Sequence, residues 1–217
     1  MSGGAAGGDS VSLSGALRAV PVSLPADFEA RASEFLSLLA IWNRKINLVS
    51  RRLTLDELAR HLVSALAPLA VFDRGAARFL DIGSGGGFPG VVLALARPAW
   101  SGVLVEATRK KCLFLREAVE VLALKGVEVV NARYEECELE TGTFDLVTAR
   151  AVRLDRGLAE RMRVHLAPDG TVIVFAPQDE PGRQELAGDF GEAGLASGPF
   201  REIAWAGAAL LQGRHPA

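Results

Sequence analysis

Asp81, a cluster of glycines and Glu106 are the residues whose types and spacing carry the plainest chemistry in this chain. Asp81 interrupts a short apolar run of Phe79, Leu80 and Ile82. Gly83, Gly85, Gly86 and Gly87 then fill four of the five positions that follow, and Phe88-Pro89-Gly90 leads into an apolar stretch ended by Pro98. The order reads as strand, loop and helix. Glycines admit positive φ and let a ligand approach the main chain without a Cβ in the way. Pro89 suits a first helical turn, where its missing N–H costs nothing, and a helix start offers free N–H groups to a nucleotide-like ligand. Glu106 ends a second apolar run, GVLVE, about 20 residues beyond the loop, where a nucleotide-binding α/β fold places a carboxylate against ribose hydroxyls.

Two readings of the loop compete. Gly85 to Gly90 satisfies G-x-G-x-x-G, the frame of a nicotinamide-dependent oxidoreductase. Taken from Asp81 the same residues are D-x-G-x-G-x-G, which resembles the first motif of class I methyltransferases using S-adenosylmethionine (SAM). In that class the acidic residue helps place the methionine end of the cofactor.

The elements that must position these residues follow from periodicity. Phe28, Phe35, Leu38, Leu39 and Trp42 recur at helical spacing over 27–42. Thr54-Leu55-Asp56-Glu57 is a capping box opening a second helix through Leu58, Leu62, Leu66 and Leu69. Strands are predicted at 102–106, 127–130, 144–148 and 170–175, with helices from Arg109 and over 154–166 and a loop or short turn at 131–136. Strand–helix alternation from Arg78 to Phe175 predicts an α/β fold, a mainly parallel, doubly wound Rossmann-like sheet with ligands at the carboxyl ends of its strands. A short C-terminal hairpin is expected from 203–205 and 208–211. The expected organisation is a disordered tail at 1–14, a helical N-terminal cap at 15–76 and the nucleotide-binding domain at 77–217.

Composition sets outer bounds. The 217 residues are 49% hydrophobic, enough for one sizeable core. A formal net charge of −2 gives no global attraction to nucleic acid, so binding would need a local cluster. Two candidate clusters exist: Arg44, Lys45, Arg51 and Arg52 lie in a segment without acids, and Arg109, Lys110 and Lys111 open a helix whose dipole they oppose. With Arg153 they are expected to form one basic rim contacting phosphates. Cys112 and Cys137 have no metal-ligand spacing, so no metal site is expected and the thiols suit a reducing cytoplasm. No apolar run nears the roughly 20 residues of a membrane span, and a soluble cytoplasmic monomer is expected.

Trp42-Asn43-Arg44-Lys45-Ile46-Asn47-Leu48, Arg60-His61-Leu62, the glycine loop through Phe88-Pro89-Gly90, Arg109–Leu115 and Thr148-Ala149-Arg150-Ala151 occur in this order and spacing. Together they make the chain resemble, from about Leu38 to Gly170, the bacterial 16S rRNA guanine-N7 methyltransferase family, also called glucose-inhibited division protein B. The resemblance implies a class I SAM-dependent methyltransferase acting on 16S rRNA or the small ribosomal subunit. It implies cofactor contacts at Gly83, Phe88, Tyr134, Glu135 and Arg150, the last also a catalytic candidate. Asp81, Gly85 and Glu106 join that set from the loop and fold. The chain departs from the family at Ser64-Ala65-Leu66, at Ala176-Pro177 and in a C-terminal end with only Arg214 and His215 as basic or histidine side chains. These departures keep open a SAM-binding protein that docks on RNA without modifying it.

Residue types narrow the chemistry. Forming 5-methylcytosine needs a cysteine nucleophile, and none stands near Thr148-Ala149-Arg150. The Asn/Asp-Pro-Pro-aromatic motif for exocyclic amines is missing there too. Guanine N7 has an in-plane lone pair and no proton to lose, so alignment and charge placement suffice.

Overall fold

In the computed structural model, which describes residues 12–215, eight strands form one sheet in the order β3-β2-β1-β4-β5-β8-β6, with β7 also paired to β8. The strands are β1 Arg78–Ile82, β2 Ser101–Glu106, β3 Val127–Asn131, β4 Phe144–Ala149, β5 Leu166–Phe175, β6 Ala196–Ser197, β7 Arg201–Ile203 and β8 Ala208–Arg214. Neighbours from β3 to β5 pair in parallel, and β8 pairs antiparallel with β5, β6 and β7. The doubly wound expectation is therefore met, with an antiparallel edge.

Side chains alternate between two cores. Phe79, Leu104, Leu146 and Ile173 point to one face, and Leu80, Val103, Val105, Val147, Val172 and Val174 to the other. A sheet covered on both faces needs strands that are apolar at nearly every position, as these are. Helices α4 (Gly90–Ala96) and α5 (Arg109–Val121) cover the first face, joined by α2 (Phe28–Asn43) and α3 (Leu55–Ala65). Helices α6 (Arg156–His165) and α7 (Glu180–Glu192) cover the second.

The N-terminal helices share the first core rather than forming their own. Phe35 on α2 meets Phe88 with ring centroids 5.4 Å apart and Phe114 on α5 at 6.3 Å. The capping box forms as expected: the Glu57 N–H donates to Thr54 Oγ1 at 3.2 Å, and the Thr54 N–H donates to Glu57 Oε2 at 2.7 Å. Helix α3 stops at Ala65 instead of running on to Leu69. Pro68 is incompatible with a continuing α-helix, and residues 67–70 tighten into a 3₁₀ turn.

Two further expectations are corrected, and one helix is added. Ser14, assigned to a tail, lies in helix α1 (Leu13–Leu17), whose start is capped by Ser12 accepting from the Gly15 N–H; residues 1–11 of that tail lie outside the described residues. Trp205, expected in a strand, sits in a 3₁₀ turn (Ala204–Ala206) between β7 and β8, closed by Gly207 at φ +56. Helix α7 was not foreseen. Gly182, Gly188 and Gly191 lower its propensity, and only Leu186 and Phe190, one turn apart, are buried. Among the described residues no helix is long and apolar enough to cross a membrane.

Candidate functional site

Strand β1 delivers Asp81 to the foot of the glycine loop, beneath α4. Its Oδ2 accepts from the Gly90 N–H at 3.1 Å, and its Oδ1 accepts from Thr148 Oγ1 at 2.8 Å. Asp81 and Thr148 are register partners on β1 and β4, which is why a hydroxyl in an otherwise apolar strand meets the carboxylate. Burial pushes the Asp81 carboxyl up to about 6, against the hydrogen bonds and the Arg150 charge that favour the anion. Gly90 is a close-approach glycine. A Cβ there would come within 2.4 Å of Leu104 Cδ2 and 2.7 Å of Asp81 Oδ2.

The loop itself is shaped by positive φ at Gly83 (+69°), Gly85 (+51°) and Gly87 (+84°), backbone that L side chains adopt with strain. Glu106, only 6% exposed, holds it from β2. Its Oε2 accepts from the Gly85 N–H at 3.0 Å and its Oε1 from the Thr108 N–H at 2.7 Å. Each carboxylate oxygen keeps a lone pair for another donor, which fits a ribose diol. Asn131, at the end of β3, donates to the Glu106 and Ala107 carbonyls at 3.0 Å each and ties β3 to this corner.

Arg150 leaves the end of β4 toward α3. Its guanidinium lies 4.9 Å from the Phe175 ring centroid, Nη2 donates to His61 Nδ1 at 3.1 Å and Nη1 to the His61 carbonyl at 3.3 Å. The His61 ring also approaches Phe88, with centroids 6.4 Å apart. A histidine on helix α3 thus joins the exit of the glycine loop to the end of β4. Beyond it opens a cleft of about 570 Å³, walled by α1, α3 and the turn that carries Trp205.

The remaining predicted residues divide. Tyr134 turns its side chain into the second core, where its hydroxyl meets His165 Nδ1 at 2.7 Å. Burial holds its phenol in the neutral form, and its carbonyl accepts from Arg161 Nε at 3.0 Å and from the Cys137 N–H at 3.2 Å, so its ring and its carbonyl are both engaged within the protein. Arg44 and Arg51 line one groove between α2 and α3, and the Trp42 and Phe114 ring centroids, 6.1 Å apart, pack the end of α2 on α5. Arg44, Lys45, Arg51, Arg52, Arg109, Lys110 and Arg153 are exposed and Lys111 is half-buried. Among the described residues none of these eight makes an ion pair. Arg153 lines a different groove, with Pro177 and Gly182 beside α7.

Asn131, Trp205 and Val152 carry no site role in the sequence reading, and Thr148 enters it only within the family stretch Thr148-Ala149-Arg150-Ala151, with no partner for its hydroxyl. Val152 packs over the loop, its Cγ2 2.6 Å from where a Gly83 Cβ would be, after Ala151 turns the chain at φ +55. Burial raises both thiols, and each donates to a nearby carbonyl, Cys112 to Glu106 and Cys137 to Arg133.

Residues 29–185 match the family model described as rRNA small subunit methyltransferase G. The chain belongs to that family. A protein named ribosomal RNA small subunit methyltransferase G from Halorhodospira halophila is 40% identical over 175 residues, covering 81% of each chain. One of the same name from Laribacter hongkongensis is 38% identical over 160 residues, covering 73% of this chain and 74% of its own. The glycopeptide N-methyltransferase MtfA, solved with S-adenosylmethionine, superposes with a TM-score of 0.63 at 12% identity, over 72% of this chain and 94% of that one. That likeness gives the fold, the class I methyltransferase sheet. Family membership sets aside the oxidoreductase reading of the same glycine loop.

Proposed function

We propose that this protein transfers a methyl group from S-adenosylmethionine to N7 of a guanine in 16S rRNA, in the cytoplasm, on the RNA or the small subunit that contains it. The observation that carries the reading is the glycine loop clamped between Asp81 below and Glu106 beside it, in a chain whose family match spans that loop. A Cβ would strain Gly83, Gly85 and Gly87, and Glu106 keeps acceptor capacity toward a diol; both features fit this cofactor.

When bound, S-adenosylmethionine supplies an electrophilic methyl on a sulfonium. Glu106 would accept from the ribose hydroxyls, and the Tyr134-Glu135 backbone and Phe88 would border the adenosine. Asp81 sets the loop geometry through Gly90 and places negative charge beneath the methionine end. Arg150 closes the site at the end of β4. No side chain has to remove a proton, because N7 attacks with its own lone pair. Arg44, Lys45, Arg51, Arg52, Arg109, Lys110, Lys111 and Arg153 would hold phosphates, a contact that supplies affinity without sequence choice.

Deleting the gene and mapping N7-methylguanine in small-subunit rRNA by borohydride–aniline cleavage tests this. Loss of one cleavage site, restored by the wild-type gene, is expected. An unchanged pattern would overturn the assignment and favour the RNA-docking protein without activity.

A further inference from the structure

The cleft between α1, α3 and Trp205 is lined by both His61 and Arg150, and the His61 ring lies 6.4 Å from that of Phe88 at the exit of the glycine loop. In a doubly wound sheet ligands meet at the carboxyl ends of the strands. Arg150, just past the carboxyl end of β4, places the cleft beside that end of the sheet. At about 570 Å³ the cleft lies within the roughly 300–1,000 Å³ range of small-ligand sites. Small residues of α1, Gly15 and Ala16, form one wall, and the half-buried Trp205 ring is available on another for a base to stack on. Arg60 stands at the same cleft, exposed and without an ion pair among the described residues.

The tautomer of His61 follows from its partner. Arginine has only donors and stays protonated, so the Nδ1 that receives the Arg150 bond must be the bare nitrogen and the ring proton must lie on Nε2. Burial, and then the Arg150 charge, lower the imidazole's affinity for a second proton, with Glu57 opposing. Nε2–H makes no hydrogen bond among the described residues. A neutral donor is thus presented beside the cofactor loop.

We infer that this cleft receives the target guanine, flipped out of its RNA, and that His61 Nε2–H donates to guanine O6. This rests on the methyltransferase reading above and names the specificity element of the same site. Guanine carries adjacent acceptors, O6 and N7, on one edge. A donor spent on O6 fixes the ring while N7 stays free for the methyl. Adenine presents an amino group where O6 would be, so donor meets donor and the base is refused. A neutral imidazole also suits the product, since positive charge passes from the sulfonium to the purine as the S–CH₃ bond breaks and the N7–CH₃ bond forms. Extrusion of the base is the general route for chemistry on a stacked nucleobase.

The test compares His61→Leu with His61→Gln, whose side-chain N–H₂ restores a donor. Small subunits from the deletion strain serve as substrate, and cofactor affinity is measured by calorimetry. His61→Leu should lower kcat/KM about 10- to 100-fold, the loss of a hydrogen bond at a polar site, with SAM affinity kept and a melting temperature a few degrees lower because Arg150 loses an acceptor. His61→Gln should recover most of the loss. A His61→Leu enzyme within threefold of wild type overturns the inference, as does one whose SAM affinity falls in parallel with its activity, because His61 would then act through the cofactor. An arm independent of turnover titrates wild type with GMP or AMP at millimolar concentration and follows the Trp205 indole resonance by NMR. A shift with GMP that exceeds the shift with AMP, and is lost in His61→Leu, is expected; equal shifts, or none, overturn it. If the wild type fails to bind SAM, the proposed function falls and this nucleotide arm alone decides the cleft.

Discussion

The two carboxylates at the ends of β1 and β2 and the cations between α2 and α3 are both polar clusters, yet they are built in opposite ways. Asp81 and Glu106 are buried on strands and spend their oxygens on backbone N–H groups and a threonine hydroxyl. Arg44, Lys45, Arg51 and Arg52 stand on a connection, exposed and without ion pairs among the described residues. The first cluster shapes a rigid cradle in which a small error in geometry is costly. The second can follow a flexible polyanion because no ion pair among the described residues holds it, Lys45 resting only over the Trp42 ring at 5.9 Å. Substitutions in the two should therefore differ in kind: the cradle should lose cofactor binding or stability, and the cations only RNA affinity.

The largest effect is expected at Gly83→Val. The φ of +69° and the contact with Val152 strain the backbone by about 1–3 kcal/mol, and SAM binding should become undetectable by calorimetry. Retained affinity would remove the cradle from the comparison. Asp81→Asn probes the same region by pH. Because burial raises the folded-state carboxyl from 3.8 to about 6, the native protein binds this proton more tightly than the unfolded chain does. Its contribution to stability is full below about pH 4 and is lost as pH rises to about 6. A shift of about two units corresponds to ~3 kcal/mol. The stability of the Asn variant relative to wild type should thus improve by up to that amount between pH 4 and 7 in urea titrations. A pH-independent difference would place Asp81 in a more solvated setting.

Glu106→Gln comes next. It exchanges a carboxylate for an amide at the Gly85 and Thr108 bonds, and SAM affinity should fall about tenfold, since bonds to charged groups contribute roughly 1.5–3 kcal/mol. The smallest effects are expected across the comparison, at Arg51→Ala and Arg52→Ala. Each should leave unfolding free energy within about 0.5 kcal/mol and SAM affinity unchanged, while reducing the slope of log RNA affinity against log salt by about 1. An unchanged salt slope would remove that residue from the RNA face.

The cradle was legible in the sequence because its chemistry is local. Asp81, the glycines and Pro89 lie within nine residues, and Glu106 closes the next strand at the spacing a βαβ unit imposes. The capping box and five central strands were legible for the same reason: hydrogen bonding and short apolar runs bounded by turn residues act over short separations. Tyr134 shows the limit. Its place after β3 agrees with a cofactor contact, but the direction of its side chain depended on whether α6 brought His165 within reach. Helix α7 escaped notice because its glycines weaken every local signal and two buried side chains anchor it.

By itself the sequence determined the alternation of strands and helices from Arg78 to Phe175, the glycine backbone of the loop and the family. Each is written in propensity, spacing or residue type. Only the tertiary structure decided which distant residues became neighbours. Register set Thr148 beside Asp81, 67 positions along the chain, and helix packing set His61 against Arg150, 89 positions away. It also separated Arg153 from the groove shared by Arg44 and Arg51. The physical reason is common to all three: long-range contacts arise from how apolar faces pack to fill a core, and the polar groups carried on those faces meet as a consequence.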